Sequence, residues 1–362
     1  MKVVIAGGGT GGHLFPGIAI AEAFQRKVPG SAILFVGTDR GIEKRVVPSL
    51  GYPLETLDVE GIKGRGPAKK LGAFLKIPRS LVQSFRILRR FAPRIVIGVG
   101  GYASGPAVLA ARLMAIPTAI AEQNAFPGAT NRILGRFVQA VFLSFPDDGG
   151  WFPPGKTVVT GNPVRSSFRA AVGNDREGAP GGPFPLLVFG GSQGAHVINM
   201  AMVDALETKE LGSIRDGLSI VHQTGTGDLE RVKAAYEARG YRADCRPFIE
   251  AMPAEYRRAR LLVCRSGATS VAELTAVGKA AILIPFARAV NDHQTKNARV
   301  LVRAEAARMI AEGDLSGQSL AVAIRHLYDR PEEIQRMEDR SRELGNWGAA
   351  DDIVDGALAL LR

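Results

Sequence analysis

Residues 2–17 read KVVIAGGGTGGHLFPG. Five largely β-branched residues run into a stretch, 7–17, in which six of eleven residues are glycine. A short apolar run closed by glycine predicts a buried strand. Residues 14–27 (LFPGIAIAEAFQRK) then space their apolar side chains as a helix does, and 32–36 (AILFV) predicts a second strand. The opening is therefore a βαβ unit. A strand that turns sharply into a helix aims unpaired amides and the positive end of the helix dipole at one point, where glycine admits an anion closely. Gly7, Gly9 and Gly12 also satisfy G-x-G-x-x-G, which raises a dinucleotide reading. Asp39 would then be the ribose-binding acid, although its distance of 27 residues from Gly12 is long for that motif.

Further strands are predicted at 95–99, 118–121, 140–143, 157–160, 218–222, 261–264 and 280–284, each set off by helical segments, as in parallel sheets. Residues 172–185 (VGNDREGAPGGPFP) lose all periodicity and read as a linker. Directly after it, LLVFGGSQGAHVINMAMVDAL repeats the opening order of strand, glycine turn and helix. The chain is thus expected to form two doubly wound, Rossmann-like α/β domains facing a central cleft, with ligands in that crevice. The expected divisions are 1–165, a linker at 166–184, a second domain at 185–345, and a C-terminal helix at 346–362 that packs back on the first domain.

Composition narrows the function classes. The two cysteines, Cys245 and Cys264, form no CxxC and have no histidine at ligand spacing, which excludes a disulfide framework or structural zinc and fits a reducing cytoplasm. The apolar start is interrupted too early for a signal peptide. The net charge of +11 is local: ten Lys or Arg and no acid lie between Gly61 and Arg94.

Repetition of the glycine loops decides between one dinucleotide and two ligands. GVGGYASGP (98–106), FGGSQGAH (189–196) and CRSGATSVAEL (264–274) each follow a strand. Several such loops suit two substrates, each bearing a diphosphate. Taken in order, GGTGGH, GGYASGP, EQN (122–124), GNPVR (161–165), GGSQGA, CRSGATSVAEL and NDHQTKNA resemble the MurG family from the first strand to residue 298. That resemblance implies a two-domain GT-B glycosyltransferase. Its members move N-acetylglucosamine from UDP-N-acetylglucosamine to undecaprenyl-diphosphate-linked N-acetylmuramoyl-pentapeptide in peptidoglycan synthesis, inverting the anomeric centre.

The residues carry roles on that footing. An uncharged imidazole at the start of a helix is available as a base, and the resemblance turns His13 from a packing ring into a substrate contact, with Thr10, Gly11 and Gly12 beside it. Glu122 is the alternative base, and Tyr102 lines the acceptor side with it. Glu273, in the helix after RSGATS, is implied to accept the ribose hydroxyls. Ser192 and the helix start at Ala268, Thr269, Ser270, Val271 and Ala272 would hold the UDP diphosphate. Arg165 would face that diphosphate, Asn124 and Gln294 would contact the sugar nucleotide, and Ile249 would present its backbone to uracil. His196 reads equally as a cleft residue or a helix-start packing group, and His222, His293 and His326 carry no argument. No Asp-x-Asp occurs, so neither a metal nor another cofactor is expected, and the leaving charge falls to helix N-termini and Arg165.

Three rivals remain: an NAD(P)-dependent oxidoreductase, a membrane-associated nucleotide-binding module without catalysis, and, within sugar nucleotides, a UDP-N-acetylglucosamine epimerase or a different glycolipid transferase. An epimerase has no second substrate for the acceptor-side loops. The basic segment at 62–79 interleaves cations with Leu71, Phe74, Leu75 and Ile77, which predicts peripheral attachment to anionic lipid on the cytoplasmic face of the bacterial plasma membrane. No nucleic-acid recognition motif accompanies it. After it, Leu81, Val82, Phe85, Leu88 and Phe91 are expected to face the core, with Arg86, Arg89 and Arg90 solvated.

Overall fold

The computed structural model describes residues 1–39, 41–59, 67–172, 182–289 and 292–362, with 67–77 as helical backbone only. The chain divides into two compact units, Met1–Arg165 with Trp347–Arg362, and Ser166–Asn346.

The first unit runs β1 (Lys2–Ala6), α1 (Gly11–Lys27), β2 (Ala32–Thr38), α2 (Glu43–Ser49), β3 (Leu54–Leu57), α3 (Pro67–Phe91), β4 (Ile95–Gly98), α4 (Ser104–Leu113), β5 (Thr118–Glu122), α5 (Ala129–Leu134), β6 (Ala140–Leu143) and β7 (Thr157–Val159). Its sheet has the order β3-β2-β1-β4-β5-β6-β7, and every described pairing is parallel. Val3 and Ile5 look to one face and Val4 and Ala6 to the other, all fully buried, so both sides of the strand need helical cover.

The second unit contains β8 (Phe184–Phe189), α6 (His196–Ala205), α7 (Lys209–Gly212), β9 (Leu218–Gln223), α8 (Leu229–Ala238), β10 (Ala243–Arg246), α9 (Met252–Arg258), β11 (Leu261–Cys264), α10 (Ala268–Val277), β12 (Ala281–Leu283), α11 (His293–Arg303), β13 (Ala307–Met309), α12 (Gly317–Tyr328) and α13 (Pro331–Glu343). Its parallel sheet is ordered β10-β9-β8-β11-β12-β13. The last helix, α14 (Ala349–Ala359), belongs to the first unit, where Ile353, Val354 and Ala357 join the α1 side of the core.

The two Rossmann-like α/β units agree with the sequence reading, and details differ. Three strands, β3, β10 and β13, were not anticipated. The segment from 166 is not simply a connector. Ser166–Ala171 forms a 3-10 helix in the second unit, because Phe168 is fully buried edge-on against Tyr256 at 5.2 Å. Residues 173–181 of the expected linker lie outside the described residues. On α3 the buried line is Ser80, Ser84, Ile87 and Leu88, whereas Val82 is 49% exposed and does not face the core as expected. Small serines let α3 approach its neighbours, and the Ser84 hydroxyl is satisfied by the Ser80 carbonyl at 2.8 Å. Among the described residues no helix is long and apolar enough to cross a membrane.

Candidate functional site

In each sheet the strand order reverses direction of growth once, between β1 and β4 and between β8 and β11. Ligands of open α/β sheets bind outside the carboxyl ends of the strands at such a switch point. The glycine loops after β1 and β4, and the small-residue turns after β8 and β11, all fall there.

In the first unit the loops after β1 and β4 touch backbone to backbone. Gly8 N–H donates to the Gly100 carbonyl at 3.3 Å. A Cβ on Gly7 would lie 2.3 Å from Gly100 O, and one on Gly101 would lie 2.4 Å from Gly8 O, so glycine is required on both sides. The other flank of the first loop is held by Glu43, which is fully buried. Its Oε2 accepts from Gly9 N–H at 2.8 Å, and its Oε1 accepts from Thr38 N–H at 2.9 Å and Thr38 Oγ1 at 2.8 Å. A resident carboxylate therefore occupies the amide that a dinucleotide pyrophosphate would need. Asp39 is exposed beside it.

His13 lies in the first turn of α1, after the N-cap Thr10, which provides no side-chain cap. Its Nδ1 is 3.2 Å from Gln123 Oε1. Thr10 and Gly12 are exposed at the same helix start, with Gly11 half-buried between them. Glu122, at the end of β5, is buried, and its two oxygens hold a small loop. Oε1 accepts from Asn124 N–H at 2.9 Å and Asn124 Nδ2 at 3.1 Å; Oε2 accepts from Gly128 N–H at 3.0 Å and Asn131 Nδ2 at 2.9 Å. With four donors this carboxylate is an organiser of residues 124–131, and Asn124 is fixed by it. Tyr102 projects from the second glycine loop, 52% exposed. The Arg165 guanidinium sits 3.9 Å from the Phe15 ring centroid, next to the same helix start. His13, Glu122, Asn124 and Arg165 thus come together around the ends of β1 and β5 and the first turn and a half of α1.

In the second unit the α10 N-cap is Gly267, extended and without a side-chain acceptor for the first-turn amides. That turn, Ala268 to Ala272, receives no cap from the N-cap residue's own side chain, and its amides and dipole are the kind of helix start that favours an anion. It is held rigidly: Ser266 Oγ donates to the Gln294 carbonyl at 2.9 Å, and Asn297 Nδ2 donates to the Ser266 carbonyl at 3.1 Å. Arg265 binds the carbonyls of Ile284 and Pro285 and pairs with Glu312. Gln294 Oε1 also accepts from Phe286 N–H at 3.0 Å, so this residue ties the turn after β11, through its backbone carbonyl, to the loop after β12, through its side chain. Glu273 lies one and a half turns into α10 and is buried.

Ser192 is half-buried in the turn after β8. Gln223 ties that turn to Ile249: its Nε2 donates to Gly191 O at 2.7 Å and its Oε1 accepts from Ile249 N–H at 2.7 Å. The Ile249 amide is thus engaged and its side chain buried. His196 Nδ1 contacts Asp228 at 2.9 Å on the surface. Burial would raise the Asp228 carboxyl, but hydrogen bonds from Asn199 and His196 hold it below its usual range. His222 is a core residue, with burial lowering its pKa to about 3. His326 bridges Arg308 and Glu333. Among the described residues no three His, Cys, Asp or Glu side chains converge as metal ligands. Sequence reasoning missed Glu43, Gln123 and Gln223, each of which has at least one hydrogen-bond partner distant in the chain: Gly9, His13, and Gly191 with Ile249.

Residues 3–143 match the glycosyltransferase family 28 N-terminal domain and residues 185–353 the glycosyltransferase family 28 C-terminal domain. The chain is 57% identical, over all of its length and 99% of the relative's, to the UDP-N-acetylglucosamine–N-acetylmuramyl-(pentapeptide) pyrophosphoryl-undecaprenol N-acetylglucosamine transferase of Syntrophus aciditrophicus. It is 50% identical, over its whole length and 93% of the relative's, to the enzyme of the same name from Myxococcus xanthus. Among solved structures it is similar to Acinetobacter baumannii MurG, with a TM-score of 0.76 and 30% identity over 99% of both chains. A UDP-GlcNAc 2-epimerase from Neisseria meningitidis, with TM-score 0.68 and 16% identity over 99% of this chain and all of its own, shares the fold alone.

Proposed function

The chain belongs to glycosyltransferase family 28, within the MurG family, and we propose that it moves N-acetylglucosamine from UDP-N-acetylglucosamine to the 4-hydroxyl of undecaprenyl-diphosphate-linked N-acetylmuramoyl-pentapeptide. The observation that carries the donor half is the start of α10, whose N-cap, Gly267, has no side chain to cap the first turn and whose Glu273 is buried one and a half turns on. Helix amides and dipole meet the charge that grows on UDP as it leaves, and Glu273 accepts from the ribose. Ser192, Gln294 and the Ile249 backbone complete the donor contacts, the last through its carbonyl because Gln223 holds the amide.

The acceptor half rests on the first unit. His13 takes the proton of the acceptor hydroxyl as that oxygen attacks the anomeric carbon, and a single displacement of the α-linked donor yields the β-linked product. Thr10, Gly11, Gly12 and Tyr102 line the acceptor contacts, and Asn124 is read as a contact to the sugar nucleotide. Glu122 serves best as the organiser of that loop, since its lone pairs are already committed to four donors. Arg165 is assigned to a substrate diphosphate. Residues 62–79 are read as the attachment to anionic lipid at the cytoplasmic face of the plasma membrane; 62–66 lie outside the described residues.

One assay tests the reading: transfer of labelled sugar from UDP-N-acetylglucosamine to a synthetic prenyl-diphosphate muramoyl-pentapeptide. Wild type should give the β-1,4 disaccharide. Glu273→Ala should weaken UDP binding by the equivalent of about 1.5–3 kcal/mol, the usual worth of a hydrogen bond to a charged group. No transfer to that acceptor would refute the assignment, and unchanged UDP affinity in the variant would remove Glu273 from the donor site.

A further inference from the structure

The contact between His13 Nδ1 and Gln123 Oε1 at 3.2 Å has a direction, which Gln123's other partner settles. The Gln123 carboxamide nitrogen lies 3.1 Å from the carbonyl oxygen of Ala121. Turning the carboxamide over would set its oxygen against that carbonyl, two acceptors face to face, so the nitrogen stays on Ala121 and Oε1 faces the ring. An amide oxygen only accepts. The proton of the neutral imidazole is therefore on Nδ1, and the free lone pair is on Nε2.

Two further features hold the ring in this state. Gln123 is 1% exposed, with no room to swing away. Gly100, at φ +91°, passes so close that a Cβ there would lie 2.7 Å from His13 Nδ1. Nε2 meanwhile has no hydrogen-bond partner among the described residues. We infer that Gln123 is a positioning residue that locks His13 in its Nδ1–H tautomer and leaves Nε2 as the atom that receives the acceptor proton. This rests on the reading of His13 as base.

In that step the hydroxyl proton passes to Nε2 while the oxygen's electron pair forms the bond to the anomeric carbon. The bond from that carbon to the UDP oxygen breaks, and its pair leaves with the diphosphate. The ring ends as an imidazolium with Nδ1–H still donated to Gln123. A neutral amide orients the ring without adding charge to it. The elements and loops around this helix start carry Glu43, Lys44 and Arg45 on α2, Tyr102 on the loop after β4, Glu122 on β5, Arg132 on α5, and Asp39 and Arg165. Glu43 is bound to Gly9 and Thr38, Glu122 to Asn124, Gly128 and Asn131, and Arg165 lies over Phe15.

His222 supplies an opposite case within the same protein. Asn199 donates its amide hydrogens to Thr224 O and Asp228, so its Oδ1 faces His222 Nε2 at 3.1 Å and that nitrogen carries the proton. The Tyr236 hydroxyl then donates to Nδ1 at 3.0 Å.

Long-range nitrogen–proton NMR on the full-length, nitrogen-labelled chain at alkaline pH reads both rings, with His13 identified by the signal lost in His13→Asn. His13 should show a protonated Nδ1 and His222 a protonated Nε2. In Gln123→Leu, and in Gln123→Met as a second variant, His13 should shift to the Nε2–H form. Turnover should then fall about 10²-fold or more, the scale of general-base loss, with KM for both substrates nearly unchanged. Gln123→Glu restores an acceptor; it should keep the Nδ1–H form and move the acid limb of kcat/KM upward by about one pH unit or more, because a carboxylate would now face the ring. A wild-type His13 protonated on Nε2, or Gln123 variants that keep both tautomer and turnover, would overturn the inference. If the tautomers are as stated yet His13→Ala keeps full turnover, the base reading falls and the tautomer assignment stands.

Discussion

Glu43 places an acid where a glycine loop of this kind would otherwise accept an anion from outside. Three donors, Gly9 N–H, Thr38 N–H and the Thr38 hydroxyl, converge on its two oxygens. Glu43→Gln puts an NH2 group against at least one of those donors in a site closed to water. Leaving buried donors unsatisfied costs about 1–3 kcal/mol, so the first unit should lose that much against urea. UDP affinity, assigned to the second unit, should not change. An unaltered urea midpoint would mean that the loop does not depend on this carboxylate. His13 and Glu122 were legible in the sequence as ionisable residues within motifs, yet their states were not. Gly9 and Glu43 are 34 positions apart and His13 and Gln123 are 110 apart, and no local pattern joins them. The four hydrogen bonds that Glu122 accepts, one of them from Asn131 nine positions on, are likewise invisible in the motif that contains it.

Among the elements, legibility followed burial. Apart from β7, an exposed edge strand whose β-branched TVV still shows, the strands found from sequence fill the middle of both sheets, where side chains on both faces are covered and the residues read as unbroken apolar runs. The three that were missed, LETL at β3, ADCR at β10 and ARM at β13, are all edge strands, with polar residues at positions that central strands fill with aliphatics. A similar loss occurs on α3, where the close-packed line runs through Ser80 and Ser84, so hydrophobic periodicity points to Val82 instead. The N-terminal half of α3 falls in the basic segment, and the lipid prediction belongs to this element. Lys69, Lys70, Lys76 and Arg79 replaced by Glu should release the protein from anionic vesicles, each cation being worth on the order of 1 kcal/mol near such a surface. Arg79 is 70% exposed on its side chain, with Asp58 at 3.5 Å as its ion-pair partner, and is available to such a surface. Binding by the wild type should weaken as salt rises and vanish on neutral lipid. Retention of the fourfold variant on anionic vesicles would reject this segment as the attachment.

At the scale of the whole molecule, the chain enters the second unit at Ser166 and returns to the first at Trp347. The first unit is therefore completed only by residues that follow the whole second unit in the chain. Ile353 and Val354 of α14 are buried with Ile18, Ala21 and other residues of the α1 face, and Gly356 comes so close to Phe142 that a Cβ would meet the ring at 2.5 Å. Burying two such aliphatic side chains is worth about 3–6 kcal/mol together. The ion pairs of Arg26 with Asp351 and Lys27 with Asp355 are exposed and add little. A domain is stable by only about 5–15 kcal/mol in total, so α14 carries a large share of the first unit's margin. Ending the chain at Asn346 should unfold the first unit, abolishing sugar transfer and exposing β1 to β7 to limited proteolysis. The second unit, whose core from Leu186 to Met337 contains nothing after residue 346, should stay folded and keep its UDP affinity. Ile353→Ala gives the graded version, a loss of about 2–5 kcal/mol confined to the first unit's transition in a denaturant melt. Equal destabilisation of both units by either change would mean that their cores are energetically coupled.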